Sequence, residues 1–382
     1  MAMQVDVLIR GGEILDPAQG VSGKGDVAIR DGRVVAVPEG EACTAAQVLN
    51  AEGCLVLPGL IDFHAHVFPS GTSIGIHPDS SCLCQGVTTV VDQGSAGVTN
   101  FESFMQTTIR PSQTRIFAYL HVSPAGLATL TRSLEPVDPR IYDLAATRRL
   151  MEKYPRHLLG LKIRQSSEIV GDLGLAPLAA TVGMAEALGC GVVVHTTHPP
   201  SGVDELAALL RPGDVYTHVY QGKGHTILDA SGKVRPGIRA ARARGVLFDT
   251  ADGRGHYAFQ VIRAALADGF GPDVISTDVV HSSLFADTVF GLPFVMTKYL
   301  NLGLPLFQVV EACTSTPARL LGMPGVLGTL APGALADVAI FRRKAMELPM
   351  QDVFGEPLVC TEALIPQATV HDGNLVYRSL EF

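Results

Sequence analysis

Eight short apolar runs, each about thirty residues from the next, constrain this chain more than any other feature. They are "LIDFHAHVF" (60–68), "GVTTVVDQG" (86–94), "RIFAYLHVS" (115–123), "LLGLKIRQS" (158–166), "GVVVHTTH" (191–198), "VYTHVYQ" (215–221), "GVLFDTADG" (245–253) and "DVISTDVV" (273–280). Stretches with helical character lie between them, such as "IYDLAATRRLMEKY", "LAPLAATVGMAEALG" and "YAFQVIRAALADG". Strands apolar on both faces and separated by helices argue for a parallel sheet. Eight such units match a (β/α)₈ barrel in number and size. An open doubly wound sheet would place a Gly-rich phosphate turn after the first strand. That position instead holds His-Ala-His and "VFPSG".

The two ends of the chain read differently. "VDVLIRGGEILDP", "GDVAIRDGRVVAV" and, near the C-terminus, "GALADVAIFRRK" alternate apolar and polar residues around Gly-Gly and Asp-Gly turns. The expected organisation is an α/β chain. Residues 58–328 form the barrel, and residues 1–57 and 329–382 pair as one small β-sandwich.

The 382 residues carry a net charge of -8, which argues against a nucleic-acid partner. No apolar run reaches the roughly 18–20 residues of a membrane span. "MAMQVDVLIRGGEILD" lacks the basic start and long apolar centre of a signal peptide, so a cytoplasmic setting is expected. The seven scattered cysteines include no two-to-four-residue zinc knuckle and read as reduced thiols.

Polar residues recur at the ends of the apolar runs. Side chains at i and i+2 share a face of a strand, so His64 and His66 point together, at the barrel end where catalytic groups gather. Lys162 sits inside the fourth run, where an unpaired ammonium facing the core is costly. His195, His218 and Asp278 end the fifth, sixth and eighth runs. Four imidazoles and a carboxylate suit a divalent ion such as zinc and exceed what one catalytic ion uses. Two ions about 3.5–4 Å apart would use them all.

With "PGLIDFHAH", the ordered Lys-His-His-Asp series and "PGALADVAIF" in view, the chain resembles the amidohydrolase superfamily along nearly its whole length. Its nearest likeness is to the deacetylase and dihydroorotase-like metallohydrolases. The resemblance implies that His64, His66 and Asp278 bind one metal and His195 and His218 a second. Lys162, carboxylated by CO₂, would bridge the two. It implies two divalent ions, zinc foremost, that activate a shared water as a bridging hydroxide, with Asp278 as the catalytic proton acceptor. Single-metal deaminases of the superfamily usually carry an acid shortly after the fifth-strand histidine. Here "HTTHPPSG" follows, which disfavours deamination.

Substrate contacts are expected from the strand ends. Arg164 follows Lys162 by two residues and is placed to clamp a carboxylate, with a rim salt bridge as the equal alternative. Tyr220 bears the same relation to His218. His121, His256 and His281 complete the substrate-binding candidates, and Asp92 is assigned to the barrel floor or to ligand support. The expected function is hydrolysis of an amide or ester in a small acylated, foremost acetylated, carboxylic acid. A cyclic amide hydrolase of the dihydroorotase or hydantoinase kind and a metal-free scaffold of the same shape are the alternatives. The expected partner is a small molecule. The apolar segment "VFGLPFVMTKYLNLGLPLF" is assigned to the helix layer or to a homo-oligomer interface.

Overall fold

The computed structural model describes residues 3–37 and 43–382; residues 1–2 and 38–42 of the expected terminal segment lie outside the described residues. The alternating N-terminal segments form strands β1 (Met3–Asp16), β2 (Val21–Arg30), β3 (Arg33–Val35), β4 (Cys43–Asn50) and β5 (Leu55–Pro58). Asp31 and Gly32, at φ 52° and 70°, make the two-residue turn from β2 to β3. Left-handed backbone at both positions is what such a tight hairpin demands.

The apolar runs then form β6 (Leu60–Ala65), β7 (Val87–Gln93), β8 (Arg115–His121), β9 (Leu158–Arg164), β10 (Gly191–His195), β11 (Val215–Thr217) and β12 (Leu247–Asp249). They pair in chain order as one parallel seven-stranded sheet. The eighth run, 273–280, forms single parallel bridges rather than a strand: Val274 to Asp249 on β12 and Val279 to Ala65 on β6. Asp278 sits at φ 49°, which interrupts the extended backbone a strand needs. The run still ties the two sheet edges together. Asp278 N–H donates to the His64 carbonyl at 2.6 Å, and His66 N–H donates to the Val279 carbonyl at 3.1 Å.

Helices connect these strands. In Leu144–Lys153 the Asp143 carboxylate caps the start by accepting from Ala146 N–H, and Gly189 in left-handed conformation ends Ala176–Leu188. The apolar segment 289–307 enters this layer: helix Leu292–Asn301 buries Val295, Met296 and Tyr299. Among the described residues no single helix is long and apolar enough to cross a membrane. All seven cysteines are unpaired.

The C-terminal strands β13 (Val338–Gln351), β14 (Pro357–His371) and β15 (Asn374–Arg378) return to the N-terminal ones. β13 pairs antiparallel with β5, so both chain ends share one eight-stranded sheet. This sheet has its own core of Val7, Ile9, Val27, Ile29, Val338 and Ile340. A buried polar joint fastens it under the parallel sheet. Arg115, at the start of β8, bonds Asp337 at 2.5 Å, and His371 bonds the other Asp337 oxygen at 2.8 Å.

Candidate metal centre

The six expected ligand residues form one connected cluster at the same end of the parallel sheet. His64 Nε2 and His66 Nε2 lie 3.4 and 3.2 Å from Asp278 Oδ1. His64 Nε2 is also 3.3 Å from Lys162 Nζ. His218 Nε2 is 2.7 Å from His195 Nδ1, and the His64 and His218 rings are 5.3 Å apart. His64, His218 and Asp278 can offer ligand atoms within 4.8 Å of one another, as can His195, His218 and His256. His195 joins the others through His218.

The outer nitrogens of three histidines are tied down. His66 Nδ1 meets Ser95 Oγ at 2.9 Å. His64 Nδ1 meets Thr217 Oγ1 at 3.1 Å and Asp249 Oδ2 at 3.4 Å. His218 Nδ1 donates to the Ala251 carbonyl at 2.7 Å. Outer contacts of this kind fix ring orientation and leave the inner nitrogen as a lone-pair donor. Asp92 completes the support. Its carboxylate accepts from the Val67 and Ser95 N–H groups at 2.9 and 2.8 Å, which holds the turn after β6 and the serine that meets His66.

Burial dominates the electrostatics. It drives the basicity of His64, His195 and His218 well below the ordinary imidazole range, and neighbouring positive groups add to this. Neutral imidazole is the form that binds a cation. Burial also lowers Lys162 to about 7, against the opposing pull of Asp278 and Asp249. Burial pushes Asp278 up, but the His66 contact and the charges of His256, His66 and Lys162 outweigh it, so its carboxyl stays below its usual value.

The backbone at three positions here is strained. His218, Ala251 and Asp278 have φ of 63°, 40° and 49°. Left-handed conformation in a non-glycine residue costs about 1–3 kcal/mol and persists only where the surroundings enforce it. Gly253, at φ 52°, admits no larger residue: a Cβ there would sit 2.5 Å from Asp278 Oδ2 and 2.6 Å from His256 Cδ2.

A cavity of about 260 Å³ opens over these groups, lined by His66, Lys162, His195, His256 and Asp278 and by apolar Ile74, Leu127, Leu130 and Val280. His256 is brought in by the Gly-rich turn after β12; its Nε2 is 3.4 Å from Asp278 Oδ2 and its Nδ1 is 2.8 Å from Thr197 Oγ1. Arg164 lines the cavity, with its guanidinium bonded to both oxygens of buried Glu135 at 2.8 and 3.1 Å. His121 is buried opposite Lys162 in the β8–β9 register, and its Nδ1 accepts from Ser123 N–H at 2.9 Å.

Three expectations are corrected. His121 is buried and outside the cavity lining, with its Nδ1 taken by Ser123 N–H. Tyr220 does not face the cavity: β11 ends at Thr217, His218 turns left-handed, and the buried Tyr220 hydroxyl donates to the Phe270 carbonyl at 2.9 Å. His281 is exposed and outside the lining, which Val280 enters instead. Sequence reasoning passed over Asp249, Glu135 and Arg254. Arg254 lines the cavity from the turn after β12 and, among the described residues, hydrogen-bonds only the Ser282 hydroxyl, at 3.0 Å.

Comparison with known proteins places the chain in a family. A model of the amidohydrolase family matches residues 287–377. The chain is 34% identical to a deacetylase of Agrobacterium fabrum over 328 residues, 85% of this chain and 80% of that one. It is 30% identical to a deacetylase of Enterococcus faecalis over 378 residues, 98% of this chain and 99% of that one. Among solved structures it matches a dihydroorotase at a TM-score of 0.88 and 32% identity, covering 98% of both chains. It matches an adenine deaminase at 0.90 and 28%, covering 98% of this chain and 100% of that one. Likeness of this degree along nearly the full length of both partners makes the chain a hydrolase, and a member of the amidohydrolase superfamily.

Proposed function

We propose that this protein hydrolyses the amide or ester bond of a small acylated carboxylic acid, foremost an acetylated one, with two divalent cations. Residues 58–328 are read as a (β/α)₈ barrel closed by the 273–280 run, and residues 1–57 and 329–382 as a sandwich domain beneath it. The observation that carries the reading is the treatment of the histidines. Three have their outer nitrogens engaged by Ser95, by Thr217 with Asp249, and by the Ala251 carbonyl, with their inner nitrogens turned toward one shared space. Such a donor set fits zinc or a similar ion. In this reading His64, His66 and Asp278 hold one cation, His195 and His218 hold the other, and a carboxylated Lys162 joins them.

When bound, the cations supply Lewis-acid polarisation of the substrate carbonyl and acidify a water. The chain's own residues do the rest. Asp278, kept ionised by His66, His256 and Lys162, accepts the proton of the attacking water and returns it to the departing amine or alkoxide. His256 steadies the second Asp278 oxygen. Arg254, bonded among the described residues only to a serine hydroxyl, offers its remaining N–H groups to the substrate carboxylate. Arg164 adds positive charge at the cavity wall while bound to Glu135. Ile74, Leu127, Leu130 and Val280 give the apolar part of the substrate its surface. The relatives named as deacetylases support acyl transfer to water. The adenine deaminase match supports the shared scaffold, but "HTTHPPSG" places no acid after His195.

The test is a side-by-side assay of N-acetyl amino acids, O-acetyl 2-hydroxy acids and cyclic imides, with metal analysis of the same preparation. Acetate release by a cation-loaded protein is expected. Faster opening of the cyclic substrates would replace this reading with a cyclic amide hydrolase. Absence of both cation and turnover would leave a scaffold.

A further inference from the structure

A fully buried ionic cluster lies beside the metal centre without touching it. Lys298 Nζ bonds Asp252 Oδ2 at 2.9 Å, with neither side chain exposed at all. The Tyr299 hydroxyl donates to the other Asp252 oxygen at 2.9 Å. Lys298 also donates to the Thr288 carbonyl at 3.1 Å and stands 3.7 Å over the Tyr257 ring. Both partners come from helix Leu292–Asn301, in the outer layer. A buried ion pair is a poor source of net stability, because desolvation consumes most of its attraction. Its value here lies in what it immobilises.

Asp252 sits in the turn after β12, between two residues that act on the centre. On one side is Ala251, left-handed at φ 40°, whose carbonyl accepts from His218 Nδ1 at 2.7 Å. On the other is Gly253, whose backbone packs against Asp278 and His256 and donates to the Thr277 carbonyl at 2.9 Å. The Asp252 carbonyl itself accepts from His256 N–H at 3.1 Å. One turn thus sets the carbonyl behind His218 and the surface beneath Asp278. An alanine at φ 40° does not hold that shape unaided. We propose that Asp252, gripped by Lys298 and Tyr299, is a positioning residue for the metal centre: it locks the 250–253 turn so that Ala251 keeps His218 protonated on Nδ1 and its Nε2 free for a cation.

The inference rests on the metal-centre reading of the preceding section. It differs from a purely structural role in one respect. Loosening this clamp releases the cation at His195 and His218 before it unfolds the protein.

The test uses the zinc-loaded full chain and two variants, Lys298→Met and the milder Tyr299→Phe, which removes one hydrogen bond and no charge. Zinc content is counted after dialysis, and zinc loss to a chelator is followed in time. Nitrogen-15 histidine spectra report the His218 tautomer. A third variant, His371→Gln, weakens the distant Arg115–Asp337–His371 joint and controls for general loss of stability. Lys298→Met is expected to retain one cation and to weaken the other by about 10–100-fold, the usual cost of losing outer-contact support. Tyr299→Phe should speed release of that same cation, with mixed His218 tautomers, while His371→Gln keeps wild-type zinc retention. Both clamp variants holding two cations at wild-type release rates, with the His218 tautomer unchanged, would overturn the inference and leave the metal centre standing. A wild-type protein that binds no zinc would overturn both.

Discussion

Asp249 stands behind His64: one carboxylate oxygen lies 3.4 Å from His64 Nδ1, and the other accepts from the Ser276 hydroxyl at 2.6 Å. Thr217 donates to the first oxygen at 2.5 Å, so the aspartate is held from β11 and from the 273–280 run before it meets the histidine. Asp249→Asn should therefore weaken zinc by about 10–100-fold while the fold survives. Zinc titration with a competing chelator, beside the circular dichroism spectrum, measures both. Unchanged affinity would remove Asp249 from the support of His64.

Asp278→Asn keeps the size of the side chain and removes the proton acceptor. Turnover should fall by about 10²–10⁴-fold, the usual contribution of a positioned acid–base group. Retained zinc and an unchanged melting temperature would show that the loss is chemical. Near-normal turnover in a folded variant would end the assignment.

The two cavity arginines should separate cleanly. Arg254→Gln should raise KM for acylated carboxylates with little change in stability, because the residue is exposed and its one hydrogen bond among the described residues is to Ser282. Arg164→Met should instead destabilise the protein, by about 3–5 kcal/mol, because it strands buried Glu135 as an unpaired charge. The double variant Arg164→Met, Glu135→Gln should recover most of that loss. Denaturant unfolding reads the second pair of results and steady-state kinetics the first.

The Asp337–His371 joint makes stability depend on pH. Burial pushes Asp337 up, yet the His371 bond and the Arg115 charge override it and hold the carboxyl at about 2, against 3.8 ordinarily. A depressed acid stabilises above its unfolded value, so this contribution, about 2 kcal/mol, is present above roughly pH 4 and disappears as pH falls toward 2. For His371, burial lowers the basicity but the bond and charge of Asp337 outweigh it, and the net direction is up from 6.5. A raised base stabilises fully below that value and loses its contribution as pH rises through the folded one. The joint should thus contribute most between about pH 4 and 6.5. Melting curves of wild type and Asp337→Asn should converge as pH falls toward 2, separate most between about pH 4 and 6.5, and stay partly separated up to about pH 8, where Arg115 still pairs with Asp337.

The legible parts of this molecule were those carried by local rules. A lysine inside "LLGLKIRQ" is costly without a purpose, and that alone singled out Lys162. Arg164 lines the cavity with Lys162, because β9 continues through it and the i, i+2 rule holds. The same rule failed for Tyr220 because the extended backbone ends one residue before His218. Nothing in a sequence marks where a strand end turns left-handed. Glu135 was invisible because it meets Arg164 from a loop 29 residues upstream. Arg254 looked like any charged residue in a glycine-rich turn until the cavity gave it a place. The eighth run was legible as a segment that completes the ring of apolar runs, but its two single bridges follow from the Asp278 conformation and not from its composition.

The pairing of β5 with β13 has a consequence for biosynthesis. Leu55–Pro58 leads directly into the strand bearing His64, yet its partner Val338–Phe341 leaves the ribosome roughly 280 residues later, which at about 5–20 residues per second means tens of seconds. Through that interval the nascent chain carries an unzipped apolar edge at the root of its candidate metal site. Truncation before Val338 would leave that edge open for good. A segment made late is therefore the clasp that shuts one made early.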